Sequence, residues 1–210
     1  MPLTKQMCVT DIFTDIYRKN RFGGTESLSG PGSGCLQTKG IVHALPKLCN
    51  DLEVSTILDI PCGDYYWMRH VNFNAVKYIG ADIVEELILK NKIHENKDVR
   101  FCRLDLISDK LPKADLILCR DCLVHFSYSD VFLAIKNICR STASYLLTTT
   151  FPDRERNVEI KTGEWWPINL EVEPFNFPKP DHLVVEGCTE VNGEYGDKSL
   201  GLWRISRIEK

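Results

Sequence analysis

Apolar residues recur along this chain in two alternating rhythms. Val9, Ile12, Phe13, Ile16 and Tyr17 form a stripe at helical spacing over residues 9–20. A second helix is predicted from Ile41, Leu45, Leu48 and Leu52, with Pro46 expected to kink or stop it. From residue 54 the rhythm changes. Short apolar runs of strand type fall at 54–60, 76–81, 99–104, 114–119 and 144–150. Helical patterns separate them: a weak one at 65–71, then 83–95 through Val84, Leu87 and Ile88, then 129–140 through Val131, Phe132, Ile135 and Ile138. Ser127 and Asp130 have capping-box spacing at the start of that last helix.

Strand and helix alternating at these intervals predict an α/β fold, a doubly wound and mostly parallel sheet with helices on both faces. The tail breaks the alternation. Residues 182–187 and 200–207 read as strands joined only by a short, turn-rich segment, too tight for parallel strands, so a C-terminal antiparallel hairpin is expected. Two segments lie outside the regular pattern. One is GGTESLSGPGSG, residues 23–34, whose five glycines and three serines suit a mobile loop or linker. The other, 152–181, is too proline-rich for a long helix and carries Trp165, Trp166, Asn169, Phe175 and Phe177. Its aromatics either pack on the sheet edge or wall a dry pocket.

Length and charge narrow the function classes. The 210 residues suit one domain, and a formal net charge of −3 gives no electrostatic reason to expect nucleic acid. No run reaches signal-peptide or membrane-spanning length, so no membrane partner is expected. Nine scattered cysteines suit reduced, buried thiols and a cytoplasmic setting. Cys119 and Cys122 alone have metal spacing, and with no second pair no metal site is expected.

In a doubly wound sheet, ligands bind beyond the carboxyl ends of the strands. Asp59, Asp82, Asp105 and Asp121 stand at the ends of the first four predicted strands. Any one of them could be a turn or helix cap. Four in succession make a rim of carboxylates, poor for phosphates and good for hydroxyls, amines or a positive charge. The loop after the first strand, Pro61-Cys62-Gly63-Asp64, lacks the glycines a dinucleotide pyrophosphate needs, which counts against a nicotinamide-dependent oxidoreductase.

Residues 57–150 resemble the class I, Rossmann-like S-adenosylmethionine-dependent methyltransferases, whose sheet has seven strands. Ile57-Leu58-Asp59-Ile60-Pro61-Cys62-Gly63-Asp64-Tyr65 resembles the family's first motif, with Pro61 and Tyr65 replacing glycines. The resemblance implies S-adenosylmethionine as cofactor, S-adenosylhomocysteine as product, and a cofactor wall of Asp59, Pro61, Cys62, Gly63, Tyr65, Asp82, Ile83, Asp105, Leu106 and Arg120. Within it Asp82 takes the ribose acid's place and Asp105 the adenine acid's. The segment Asp121-Cys122-Leu123-Val124-His125-Phe126 resembles the family's segment after the fourth strand. There His125 is the candidate base, or else only orients substrate, and Asp121 positions substrate or cofactor. Residues 24–33 and Thr149-Thr150-Phe151-Pro152 are similar to stretches in an uncharacterised bacterial-type group of the family.

The expected division is thus one domain over 1–210. It comprises N-terminal helices and a lid loop (1–53), a cofactor-binding core (54–150), and a substrate-covering loop with the terminal hairpin (151–210). A small-molecule substrate is expected, walled by Trp166 and Asn169. A protein side chain stands second, and a catalytically silent interaction module is the rival reading. The oligomeric state stays open.

Overall fold

The computed structural model describes residues 7–208. Its centre is a seven-stranded sheet. In chain order the strands are β1 (Thr56–Asp59), β2 (Lys77–Asp82), β3 (Val99–Arg103), β4 (Leu116–Cys119), β5 (Tyr145–Thr150), β6 (His182–Val185) and β7 (Ser199–Arg204). Across the sheet they lie in the order β3-β2-β1-β4-β5-β7-β6. The first five are parallel. Strand β7 slots in antiparallel between β5 and β6, so the expected hairpin is present.

The strands are apolar on both faces because both faces are covered. Leu58, Ile117 and Leu146 face one core, built with α4 (Tyr128–Cys139) and with Phe175 and Phe177 of the 152–181 segment. Their neighbours Ile57, Leu116, Leu118 and Leu147 face the other, built with α2 (Cys35–Asp51). Helix α1 (Val9–Arg18) lies at the carboxyl end of the sheet, and α3 (Glu85–Asn91) follows β2. Ser127 caps α4 by accepting the Asp130 amide. Asp130 does not close the box on Ser127. Its carboxylate takes the Thr162 hydroxyl, and Thr162 Oγ1 accepts the Ser127 amide at 3.0 Å.

Pro46 does not interrupt α2, contrary to expectation. A mid-helix proline costs about 3 kcal/mol, whereas each fully buried large aliphatic side chain contributes about 1.5–3 kcal/mol. Ile41 and Leu45, both 1% exposed, flank the proline together with buried Cys49 and outweigh it. The weak helix expected at 65–71 shrinks to one turn, Met68–His70. Gly63 (φ 53°) and Tyr65 (φ 57°) both adopt left-handed backbone there, which cannot continue into a right-handed helix. Among the described residues no helix is long and apolar enough to cross a membrane.

Candidate active site

The strand order reverses between β1 and β4, and the loops at their carboxyl ends open a crevice there. The loop after β1 is tied down from below. Cys62 donates its amide to Ala81 O at 2.8 Å, and Asn91 Nδ2 donates to Gly63 O at 2.8 Å. Asp82 holds the turn from the side, accepting the amides of Gly63 (3.1 Å) and Val84 (2.9 Å) on separate carboxylate oxygens. Asp59, only 2% exposed, accepts the Tyr78 hydroxyl at 2.6 Å.

Residues 23–34 form no free linker. Asp64 accepts the Ser27 hydroxyl at 2.9 Å and the Leu28 amide at 2.8 Å, clasping this loop onto the β1 turn. The approach is close: a Cβ added at Gly63 would lie 2.0 Å from Ser29 Oγ. Phe13 and Tyr17 of α1 and Phe22 complete the roof.

The resulting inner cavity is lined by Asp59, Pro61, Cys62, Gly63, Asp82, Ile83, Asp105, Leu106, Arg120, Asp121 and His125, among others. The rim of carboxylates therefore assembles, although Asp105 also caps its own turn, accepting the Ile107 amide and the Ser108 hydroxyl at 2.8 Å each. Three residues expected at the site lie elsewhere. Tyr65 lines neither this cavity nor the outer one described below. Its left-handed backbone turns the ring away onto Tyr78, Phe101 and His94, with centroids 5.3, 5.0 and 5.5 Å apart. Asn169 is buried as a loop fastener, its Nδ2 donating to Pro152 O and Arg154 O. Trp166, pinned by its amide to Val124 O, also lines neither cavity, and its neighbour Trp165 takes the expected place.

An outer cavity adjoins the inner one. Phe22, Ser29, Asp121 and His125 border both, so these four form the neck between them. The imidazole of His125 is held by an Nδ1–H donated to Glu164 O at 2.9 Å. That bond fixes the tautomer and leaves Nε2 as an acceptor, with no hydrogen-bond partner among the described residues. Burial, opposed by the Glu164 carbonyl and by Asp121, lowers the imidazole's pKa below its ordinary value, so the ring is neutral at physiological pH.

Asp121 is over-determined. It sits at φ 51°, a left-handed conformation costly for a non-glycine residue. Thr149 Oγ1 accepts its amide at 2.8 Å, Lys198 Nζ lies 2.6 Å from Oδ2, and Arg120 Nη1 lies 3.1 Å from the same oxygen. Burial alone would raise its pKa, but Arg120 and Lys198 win and hold the carboxyl well below the usual range. It is a fixed anion rather than a proton acceptor. Asp59 and Asp82 behave oppositely. Burial pushes Asp59 up to about 7 against the Tyr78 hydroxyl, and Asp82 to about 6 against its backbone amides.

Glu186 and Lys198 complete the charge network, and reading the sequence missed both. Arg120 Nη2 lies 2.7 Å from Glu186 Oε2 and donates to Gly32 O at 2.8 Å. Glu186 closes the end of β6 and Lys198 immediately precedes β7.

Residues 37–185 match the family described as the methyltransferase domain. The chain belongs to that family. No curated protein matches it. Among solved structures, this methyltransferase domain is similar to human N-acetylserotonin methyltransferase in complex with SAM, at 15% identity and a TM-score of 0.65, over 94% of this chain and 60% of that one. It is also similar to magnesium protoporphyrin IX methyltransferase from Synechocystis with bound SAH, at 15% identity and a TM-score of 0.52, over 69% of this chain and 73% of that one. A third likeness, to the DhpI-SAM-HEP complex, has 18% identity and a TM-score of 0.54, over 73% and 71% of the two chains. The domain thus spans about three-fifths of the human enzyme's length. At these identities the likeness is one of fold.

Proposed function

We propose that this methyltransferase domain transfers a methyl group from S-adenosylmethionine to a hydroxyl or amine of a small molecule. The observation that carries the reading is the neck, where a neutral histidine and a fixed anion stand between two cavities. The inner cavity's residues fit the cofactor. Asp59 and Asp82 are acceptors suited to a ribose diol, and burial raises both pKa values against the hydrogen bonds they already accept. Pro61 removes one amide from the wall, a loss that matters for a pyrophosphate and little for a nucleoside without phosphates. Apolar walls at Ile83 and Leu106 suit a purine.

When bound, S-adenosylmethionine supplies an electrophilic methyl on a sulfonium. The chain's own contribution is placement, charge and a proton sink. Asp121 keeps a fixed carboxylate at the neck, its charge already met by Lys198 and Arg120, so its part is placement. His125 Nε2 is free to take the proton that a hydroxyl or ammonium acceptor loses, with Nδ1 anchored to Glu164 O. Phe13 and Phe22 pack around the imidazole at 6.5 and 4.7 Å and keep the neck dry.

The lid role of residues 23–34, the core role of 54–150 and the covering role of 151–210 belong to the same proposal. Residues 24–33 and 149–152 further support a place in the bacterial-type group. Free cysteines, five of them buried, support a cytoplasmic setting. The absence of a basic excess favours a small molecule over nucleic acid. Titration calorimetry with S-adenosylmethionine, S-adenosylhomocysteine and NAD tests the reading. The two sulfur nucleosides should bind and NAD should not. Binding of NAD alone overturns the reading, and binding of none favours a fold that has lost its activity.

A further inference from the structure

The outer cavity offers about 470 Å³ of room, within the range of small-molecule sites, and its charges are unevenly spent. Its two cations are already paired, Arg21 with Asp15 at 2.5 Å and Lys198 with Asp121 at 2.6 Å. Glu190 forms no ion pair within 4 Å among the described residues; the Cys188 thiol donates to it at 3.6 Å, and the Arg120 guanidinium attracts it from further off. Its carboxylate nevertheless converges on the charged network. A Cβ placed at Gly32 would lie 3.0 Å from Glu190 Oε2, 3.4 Å from Lys198 Nζ and 3.7 Å from Asp121 Oδ2. Arg120 and Lys198 supply two positive charges against three negative ones on Asp121, Glu186 and Glu190, a net of −1.

A second observation concerns shape. Trp165 lines the same cavity and is 39% exposed, although it belongs to an aromatic cluster with Tyr195 (4.9 Å, 70°) and Phe151 (6.2 Å, 87°). A large aromatic surface left open beside an unpaired carboxylate is the chemistry that recognises a ring bearing a positive charge. An acidic ligand finds no free cation here. A neutral one would desolvate Glu190 without giving it a partner.

Resting on the methyltransferase reading, we propose that the outer cavity selects a small aromatic amine. Its ammonium pairs with Glu190, its ring lies against Trp165, since the Tyr195 ring already carries the Arg154 guanidinium at 5.4 Å, and a nucleophilic group of the same molecule reaches the neck at His125. Three probes share one phenol ring and differ in the charge of the tail: tyramine (cationic), 4-methylphenol (neutral) and 4-hydroxyphenylacetate (anionic). Each is titrated calorimetrically into the full chain saturated with S-adenosylhomocysteine. Tyramine should bind at least about tenfold more tightly than 4-hydroxyphenylacetate, with 4-methylphenol between them. Glu190→Gln should bring the three within about threefold of one another. Trp165→Ala, with its circular dichroism checked against the parent, should weaken all three. Equal or tighter binding of the anion, a preference that survives Glu190→Gln, or rejection of all three probes overturns the proposal while the cofactor reading stands. Failure of S-adenosylhomocysteine itself to bind overturns the cofactor reading, and this proposal with it.

Discussion

Replacing Arg120 by methionine keeps most of the side chain's length and removes its charge from a place where little water can compensate. The Arg120 side chain is 3% exposed and that of Glu186 is 1% exposed, with 2.7 Å between Nη2 and Oε2. At an effective dielectric constant of about 20, that contact alone is worth about 6 kcal/mol of gross attraction, most of it offset by the desolvation already incurred. Removing one partner leaves the other's desolvation uncompensated, so the expected loss of stability is about 3–5 kcal/mol. The guanidinium also bonds Gly32 O at 2.8 Å and lies over the Trp67 ring, so the loop at 23–34 should loosen as well. Urea unfolding followed by circular dichroism measures the loss. The double variant Arg120→Met/Glu186→Gln removes the stranded carboxylate and should recover at least about 1.5 kcal/mol, the non-additivity expected of two residues in one network. A loss below about 1 kcal/mol, or strictly additive single and double variants, would refute the claim that this pair is held by mutual compensation in a dry site.

Five further outcomes follow from the same geometry. Asp82→Ala should weaken S-adenosylhomocysteine binding at least about tenfold by calorimetry, and unchanged affinity refutes the ribose assignment. His125 should titrate below 6.5 in nitrogen-edited NMR, with the proton of the neutral ring on Nδ1. A neutral ring protonated on Nε2 would remove it as a base. Gly63→Ala should cost about 1–2 kcal/mol for the positive φ alone, and more because the new methyl meets Ser29 Oγ. In a Ser29→Gly background the extra cost should vanish, and an equal cost in both backgrounds contradicts the contact. Asp59 takes up its proton more readily folded than unfolded, so its contribution favours the folded state at low pH and is lost as pH rises from about 4 through about 7. Between pH 5 and 7 that amounts to about 2 kcal/mol, and Asp59→Asn should flatten the stability profile there. Asp121 has the opposite sign: its contribution is present above the ordinary carboxylate range and lost in acid as pH falls through its depressed value.

The strands were legible because Leu116–Cys119 and Ile57–Leu58 are apolar at every position, as burial on two faces requires. The acids that close or follow β1, β2, β3 and β4 were legible for a related reason: each marks where an apolar run ends. Other parts were hidden by geometry that one-dimensional spacing does not carry. Tyr65 sits in line with the cofactor loop, but a left-handed backbone reverses its side chain. Trp165 and Trp166 are neighbours in an irregular segment with no periodicity to show which one reaches a cavity. Asn169 has the polarity of a binding residue and spends it fastening the 152–157 backbone. Glu186 meets Arg120, and Lys198 meets Asp121, only because β7 inserts between β5 and β6, a topological event far from residue 120 along the chain.

That insertion gives the chain an order of completion. Arg120 and Asp121 leave the ribosome early, yet the countercharges that make their burial tolerable stand at 186 and 198. Until β7 has threaded between its neighbours, the crevice holds Arg120 and Asp121 without their outer partners, and β5 lacks its antiparallel edge. Assembly of the crevice therefore waits on β7, and a chain cut before residue 198 carries the loop after β1 without the means to finish it.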